Sequence, residues 1–279
     1  MIDLHVHSYY SDGTNSPSEL VNIALQNNIT AFALTDHDTL EGIPYVTKAA
    51  VGTGIEIIPG VELSAENNGH DIHILGFYLD YSTNEFTDYI RHFREERDER
   101  NIKMCKKLTE AGYPISYEEL KEAFPRATIT RAHYGQTLMK KGYVKSIAEA
   151  FDRLIGDSCP YYIPRERLNP EAAIEYIHKA GGLATLAHPF QYKMGNTKLE
   201  EFVKQLKNAG LDGIEAKYTT HSPSEERQLK EYAKKYDLFI SGGSDYHGEH
   251  KPAIMMGKGH GKLYIDESVL IPIKERKMK

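Results

Sequence analysis

The sequence predicts an α/β barrel, and three observations lead to that fold class. The length of 279 residues allows one or two domains and also fits a single barrel of about 250 residues. Short apolar segments alternate with amphipathic helical patterns, which is typical of α/β proteins. Seven segments have the character of strands. We therefore expect a seven-stranded barrel with a helical insertion.

Four of these strands lie in the N-terminal part of the chain, over positions 1–84. Residues 2–7 alternate apolar and polar side chains at period two, as in a half-buried strand. Ser16 before Pro17 is a typical start of a helix. The other segments of this part are predicted as strands over 31–35, 55–63 and 72–78 and as a helix near 43–51.

Residues 85–165 have a different, mainly helical character. Most side chains between Arg91 and Lys107 are charged, and we interpret this run as a solvated helix face. An apolar stripe at helical spacing runs beside it, formed by Phe86, Ile90, Phe93, Met104 and Leu108. We predict an insertion domain over 85–165 and a barrel domain composed of 1–84 and 166–279.

The alternation of strands and helices returns after Pro164. A helix over 170–180 ends at Gly181 and Gly182, a common C-terminal signal. The remaining segments are predicted as strands over 183–187, 213–217 and 238–242 and as helices over 198–208 and 224–235.

Composition and charge exclude several classes of protein. The net charge of −6 argues against binding of duplex nucleic acid through bulk positive charge. Two cysteines, Cys105 and Cys159, are too few for a disulfide scaffold or a thiolate metal cluster, and whether they pair stays open. The sequence has no apolar run long enough to span a bilayer, and residues 1–5 lack the character of a signal peptide. We expect a soluble, cytoplasmic protein without a membrane partner.

Side chains of the kind that bind metals stand at the ends of six strands. His5 and His7 are two residues apart on a strand, so both rings point to the same face. The other segments of this kind are Ser11–Gly13, Thr35–Asp38, Pro59–Glu62, Asp71–His73, Ala187–Pro189 and Ser244–His247. The carboxyl ends of barrel strands converge on one mouth, and burial of so many ionisable groups without a cation is costly. Imidazole with carboxylate and no thiolate suits manganese, iron or zinc.

Taken in order along the chain, these segments resemble the motifs of the PHP (polymerase and histidinol phosphatase) superfamily. The resemblance covers the whole chain and implies a distorted (β/α)7 barrel of the PHP type. The insertion is similar to that of stand-alone phosphatases that act on nucleoside 3′,5′-bisphosphates and short 5′-phosphorylated oligoribonucleotides. It implies that residues 85–165 cap a small phosphorylated substrate.

The resemblance also implies a site for three divalent ions, of manganese, iron or zinc. The implied ligands are His5, His7, Glu62 and Asp245 for the first ion, Glu62, His73 and His188 for the second, and Asp12, His37 and His247 for the third. Asp36, Asp38 and Asp71 neighbour these ligands and are candidates for orienting the rings, with turn-forming or capping roles as an equal alternative.

The expected reaction is hydrolysis of a phosphomonoester. Divalent ions lower the pKa of bound water, and the resulting hydroxide can attack phosphorus in line. No motif of a covalent nucleophile is apparent, and no general acid is assigned. Candidate substrate-binding residues are Arg131 and His133, which resemble a phosphate-binding Arg-x-His element, His221, which resembles a loop histidine of the family, and Lys217, which departs from the uncharged residue common there. The other histidines, His70, His92, His178, His250 and His260, are interpreted as surface residues.

Several alternatives stay open at this point. A histidinol-phosphate phosphatase would use the same chemistry, although the helical insertion argues against it. A polymerase proofreading nuclease shares the motifs, but no polymerase sequence follows position 279. A non-catalytic, metal-dependent sensor of phosphorylated ligands would not need the complete ligand set. A purely structural barrel leaves the polar strand ends unexplained. The oligomeric state stays open.

Overall fold

Seven strands form a nearly closed barrel, which confirms the predicted fold class. The computed structural model describes residues 1–82, 84–156, 158–163 and 168–279, with the side chains of 84–87 and 92–94 outside the description. The strands follow one another around the barrel in sequence order. They are β1 (Ile2–Val6), β2 (Ala31–Leu34), β3 (Glu56–Asn67), β4 (His70–Phe77), β5 (Leu183–Leu186), β6 (Gly213–Tyr218) and β7 (Phe239–Gly243).

One strand departs from the parallel arrangement that the alternation predicts. β4 runs antiparallel to both β3 and β5, whereas the other neighbouring pairs are parallel. Asn68 and Gly69 join β3 to β4 with φ angles of 50° and 81°. Positive φ at both positions of a two-residue Asn-Gly turn is typical of a β-hairpin. Because β4 returns from this turn, His73 near its start faces the same mouth as the end of β3.

The helices cover the barrel or build the insertion. They are α1 (Pro17–Gln26), α2 (Ile43–Ala50), α3 (Asn84–Glu110), α4 (Tyr117–Ala123), α5 (Arg131–Lys140), α6 (Ile147–Ala150), α7 (Pro170–Lys179), α8 (Asn196–Asn208), α9 (Pro223–Lys235) and α10 (Leu270–Lys277). Ser16 caps α1 in a reciprocal capping box with Glu19, as the Ser-Pro start indicates. Among the described residues, no helix is long and apolar enough to cross a bilayer.

The insertion has an apolar cluster of its own, which includes Met104, Leu108, Tyr134 and Leu138. Of the predicted stripe, Ile90, Met104 and Leu108 are buried, while the side chains of Phe86 and Phe93 lie outside the described residues. Residues 164–167, where the predicted insertion ends, also lie outside the description. Cys105 and Cys159 are separate free thiols.

The charged run of α3 is not the wholly solvated face that its composition suggests. Arg97 and Arg100 are only 5% and 6% exposed. Arg97 forms an ion pair with Asp38, which follows β2 in the barrel. A three-residue spacing puts both arginines on one side of the helix, so this side of α3 faces the barrel mouth.

The barrel closes where β7 meets β1. The His5 carbonyl accepts a hydrogen bond from the Asp245 amide at 2.9 Å, and the Tyr246 carbonyl accepts one from the His7 amide at 3.0 Å. Gly243 allows this close approach, because a Cβ built on it would lie 2.1 Å from the Cβ of His5. The junction therefore fixes residues of the first and last strands side by side.

Candidate metal centre

All nine predicted ligands converge at the mouth of the barrel, with Glu62 at the centre. Burial of Glu62 is nearly complete, and five imidazole nitrogens surround its two oxygens. The distances are 3.2 Å to His5 Nε2, 3.2 Å to His7 Nε2, 3.3 Å to His37 Nδ1, 2.8 Å to His73 Nδ1 and 3.0 Å to His188 Nε2. One carboxylate thus joins five rings from four segments of the chain, since His5 and His7 both come from the end of β1.

Two further carboxylates extend the cluster. Asp12 lies 3.2 Å from His247 Nε2 and 3.7 Å from His37 Nε2. Asp245 lies 3.4 Å from His7 Nε2. Potential donor atoms come within 4.8 Å of one another in four groups: His7, Asp12, His37 and His247; His5, His7 and Asp245; His5, Glu62 and His188; and His37, Glu62 and His73. Each of these groups could hold a metal ion.

The chemistry of the donor set fits divalent cations. Several buried donor atoms of the cluster have no hydrogen-bond partner among the described residues: His5 Nε2, His7 Nε2, His37 Nδ1 and Asp12 Oδ1. Buried polar atoms are normally hydrogen-bonded, so atoms left over beside carboxylates indicate a site for cations. Imidazole and carboxylate without thiolate are ligands for manganese, iron or zinc.

The charges within the cluster are strongly coupled. Burial by itself raises the pKa of Glu62, but the surrounding imidazoles hold it well below its usual range. Burial lowers the pKa of His7, but Asp245 and Glu62 outweigh burial and raise this pKa to about 9. Burial lowers the pKa of His37 to about 3, and its carboxylate neighbours offset only part of that effect. Without ions, some of the imidazoles must therefore carry protons to balance the carboxylates.

The three aspartates that neighbour the predicted ligands, Asp36, Asp38 and Asp71, contact different partners. Asp36 accepts hydrogen bonds from the Ser8 amide and the Ser11 hydroxyl, both at 2.7 Å, and Ser11 Oγ lies 3.4 Å from His7 Nδ1. Asp36 therefore reaches a ring through Ser11. Asp38 accepts from the Ser64 amide at 2.9 Å and binds Arg97 of the insertion.

Asp71 lies between the cluster and the insertion. One of its oxygens is 3.8 Å from His73 Nε2, and the other is 3.1 Å from Arg131 Nη2. Arg131 also lies over the rings of Phe151 and Tyr162, at 5.5 and 5.2 Å. The ion pair with Asp71 and the contacts with these two rings hold the guanidinium of Arg131 beside the cluster.

A cavity of about 230 Å³ adjoins the cluster and separates it from the insertion. Asp12, His37 and His73 line the cavity on the barrel side. The opposite side consists of Arg97, Arg100 and the N-terminus of α5, which comprises its N-cap Thr130 with Arg131 and Ala132. These five residues together are named the arginine recess. A helix N-terminus and three guanidinium groups around one cavity are suited to binding an anion.

The other substrate-binding candidates lie in different surroundings. His133 is 1% exposed, and its Nδ1 accepts a hydrogen bond from the Thr130 amide at 2.9 Å, so the ring caps α5. His221 is half-buried and donates from Nδ1 to the Ala216 carbonyl at 3.1 Å. Lys217 donates to the Tyr264 carbonyl at 3.0 Å, and it does not line the described cavity.

For one of the five histidines interpreted as surface residues, His250, that interpretation is wrong. His250 is half-buried and donates from Nδ1 to the Asp12 carbonyl at 2.6 Å, because the turn after His247 folds back on the Asp12 loop. His70 and His260 are exposed. His178 is 38% exposed and pairs with Asp212, and the side chain of His92 lies outside the described residues.

Sequence reasoning missed several residues that touch the cluster. Tyr218 and Lys251 both donate to Asp245 Oδ2 at 2.7 Å. Glu215 is fully buried behind His5 and His188. A charged residue between Ile214 and Ala216 of an apolar strand was the available signal for Glu215. For Arg97 and Arg100 the sequence offers no comparable signal, because both lie within a run of charged residues.

Known proteins resemble this chain over most of its length. The profile of the PHP domain matches residues 3–253. A 5′-3′ exoribonuclease of Haemophilus influenzae is 37% identical over 245 residues, which cover 88% of this chain and 89% of the relative. A 3′,5′-nucleoside bisphosphate phosphatase of Chromobacterium violaceum is 32% identical over 88% of this chain and 87% of its own length. A solved structure from Bifidobacterium adolescentis, described as a metal-dependent phosphoesterase, superposes with a TM-score of 0.87 at 27% identity, over 98% of this chain and 95% of its own.

Proposed function

This chain belongs to the PHP domain family, and from that premise we propose that it is a metal-dependent phosphoesterase. The proposed reaction releases phosphate from a nucleoside 3′,5′-bisphosphate or a short 5′-phosphorylated oligonucleotide. The observation that carries the proposal is a cluster of six histidines and three carboxylates that faces the arginine recess across one cavity. Two of the relatives named above support this choice of substrate, since one is a 5′-3′ exoribonuclease and the other a 3′,5′-nucleoside bisphosphate phosphatase.

The cluster would hold three divalent ions, of manganese, iron or zinc, with the ligand sets that the family resemblance implies. Such ions neutralise charge on phosphoryl oxygens and lower the pKa of water, which supplies a nucleophile at neutral pH. The chain itself orients the carboxylates. Tyr218 and Lys251 hold Oδ2 of Asp245, so that Oδ1 faces His5 and His7.

The arginine recess would bind a second phosphate of the substrate. Guanidinium groups match phosphate geometry, and burial strengthens their hydrogen bonds because less water competes. The same charges disfavour histidinol phosphate, which carries an ammonium group and a single phosphate. We propose that residues 85–165 cap a small substrate in this way in a cytoplasmic enzyme.

Removal of two ligands tests the proposed activity. His5→Ala combined with His7→Ala is expected to lose bound metal and the hydrolysis of a nucleoside 3′,5′-bisphosphate, because donor atoms are removed from three of the four groups. Metal analysis and phosphate release measure the two effects. The matched control is His178→Ala combined with His260→Ala, since both rings lie outside the cluster. Unchanged metal content and turnover in the cluster variant would contradict the site.

A second variant tests the arginine recess. Arg131→Ala is expected to lower kcat/KM for the bisphosphate by about 10- to 150-fold, since a hydrogen bond to a charged group contributes roughly 1.5–3 kcal/mol. Hydrolysis of a generic monoester such as p-nitrophenyl phosphate is expected to stay largely intact. Arg153→Ala serves as the control, because Arg153 is half exposed and pairs with Glu149. Equal losses on both substrates would refute the assignment to a second phosphate.

A further inference from the structure

Glu215 occupies a position that the proposed ligand set does not explain. It lies on β6 with 0% exposure, and it uses both of its carboxylate oxygens. Oε1 is 3.1 Å from Nδ1 of His5, and Oε2 accepts a hydrogen bond of 2.7 Å from the backbone amide of His188. One buried carboxylate therefore joins two residues of the cluster that come from β1 and from the end of β5.

The contact with His5 determines which nitrogen of the ring can face the cluster. A carboxylate only accepts hydrogen bonds, so Nδ1 of His5 carries a proton beside Glu215. Nε2 then lies 3.2 Å from Glu62 Oε2 and 3.7 Å from Asp245 Oδ1. Its lone pair is available to a cation between these carboxylates, because the second nitrogen of a ligating imidazole fixes the tautomer.

The contact with His188 acts on the backbone. His188 has a φ angle of 27°, in a region that residues other than glycine rarely adopt. The hydrogen bond from its amide to Glu215 holds this conformation, and Nε2 of the ring is then 3.0 Å from Glu62 Oε1. The two contacts of Glu215 thus aim two rings at opposite oxygens of Glu62.

We propose that Glu215 is a positioning residue for two of the three ions at once. The inference rests on the proposed function, in which His5 belongs to the first ion and His188 to the second. Glu215 sets the proton on His5 and the main chain of His188, and it touches neither ion itself. The third set, Asp12, His37 and His247, has no direct contact with Glu215 among the described hydrogen bonds and ion pairs.

Glu215→Gln tests this role with minimal change of shape. A glutamine offers one acceptor oxygen, so it can serve His5 or His188 but not both. We expect titration with Mn²⁺ to show about 10- to 100-fold weaker binding at two sites and unchanged binding at the third. In the zinc-loaded wild type, ¹⁵N NMR of the imidazoles is expected to show His5 protonated at Nδ1 and bound through Nε2.

Asp212→Asn provides a matched control just before β6. Asp212 Oδ2 contacts His178 Nε2 at 2.8 Å and accepts from the Ala184 amide at 3.0 Å, so it repeats the contact to a ring and an amide outside the cluster. This variant is expected to retain all three Mn²⁺ sites. Wild-type affinity at every site in Glu215→Gln, or equal weakening of all three, would overturn the proposal.

The NMR measurement on the wild type tests the effect of Glu215 on His5 even if the Glu215→Gln variant does not fold. Binding of zinc to His5 through Nδ1 would overturn the positioning role. The outcome is also separable from that of the proposed function. Wild-type protein that binds three ions but releases no phosphate from any ester contradicts the proposed function, while the ion titration still decides on Glu215. Wild-type protein without any bound ion would overturn both.

Discussion

Glu62→Gln is expected to lower phosphate release by at least about three orders of magnitude. Glu62 is the one carboxylate among the described residues that five imidazole nitrogens approach within 3.3 Å, and the amide of glutamine removes its charge. Metal ions contribute several kcal/mol of charge stabilisation, and about 1.4 kcal/mol corresponds to a factor of ten in rate. In the proposed site two ions share this carboxylate, so its loss is expected to affect turnover more than loss of any single ring.

The measurement combines metal analysis with initial rates at saturating Mn²⁺. Fewer bound ions are expected, and each uptake event should release fewer protons at pH 7, because Glu62 contributes to the raised pKa of His5 and of His7. Glu56→Gln on the same strand is the control, since Glu56 contacts Tyr78 and Lys274 at the opposite end of β3. Wild-type ion content together with wild-type rates in Glu62→Gln would refute a bridging role.

Gly243→Ala is expected to damage both stability and ion binding. The added Cβ would lie 2.1 Å from His5 Cβ and 2.6 Å from His5 N, so the backbone must move where β7 meets β1. Overpacking typically costs about 1–3 kcal/mol, and a clash between two main chains lies at the upper end of that range. The movement displaces His5 and the Asp245 amide that bonds to its carbonyl, which separates two proposed ligands of the first ion.

Thermal unfolding and ion titration measure the two effects of this substitution. A loss of about 3 kcal/mol corresponds to roughly 6–12 °C in Tm for a chain of this size. Ser241→Ala, two residues earlier on β7, is the control, because its buried hydroxyl has no hydrogen-bond partner among the described residues. If Gly243→Ala melts like the wild type and retains all its ions, close packing at this junction is not required.

Sequence alone predicted the number of strands and the convergence of His5, His7 and the other seven candidate ligands. Most of these residues stand at or shortly after strand ends, and barrel geometry brings strand ends together. Glu62 within β3 and His73 near the start of β4 are the exceptions, and the hairpin between these strands brings them to the same mouth. The direction of β4 was also readable, because Asn68–Gly69 is a strong hairpin signal. The alternation of strands and helices predicts a parallel β4, whereas the hairpin turn makes it antiparallel.

The remaining parts of the site depend on contacts that periodicity does not encode. Arg97 and Arg100 share a helix with many exposed charges, and only the packing of α3 over the mouth distinguishes them. Glu215 contacts His5 across 210 positions of sequence. Lys251 and His250 come from a turn whose course depends on the Asp12 loop. Long-range contacts of this kind cannot be predicted from the local pattern of apolar and polar residues.

The junction of β1 and β7 also has a consequence for the order of assembly. His5 and Asp245 stand near opposite ends of the sequence, yet they are neighbours in the barrel. Contacts of such separation form late, because the entropy of closing the whole chain must be overcome first. Ions bound by both residues would link the first and the last strand of the barrel. Uptake of such ions would follow the formation of this contact, and their loss would let the barrel open first between β1 and β7.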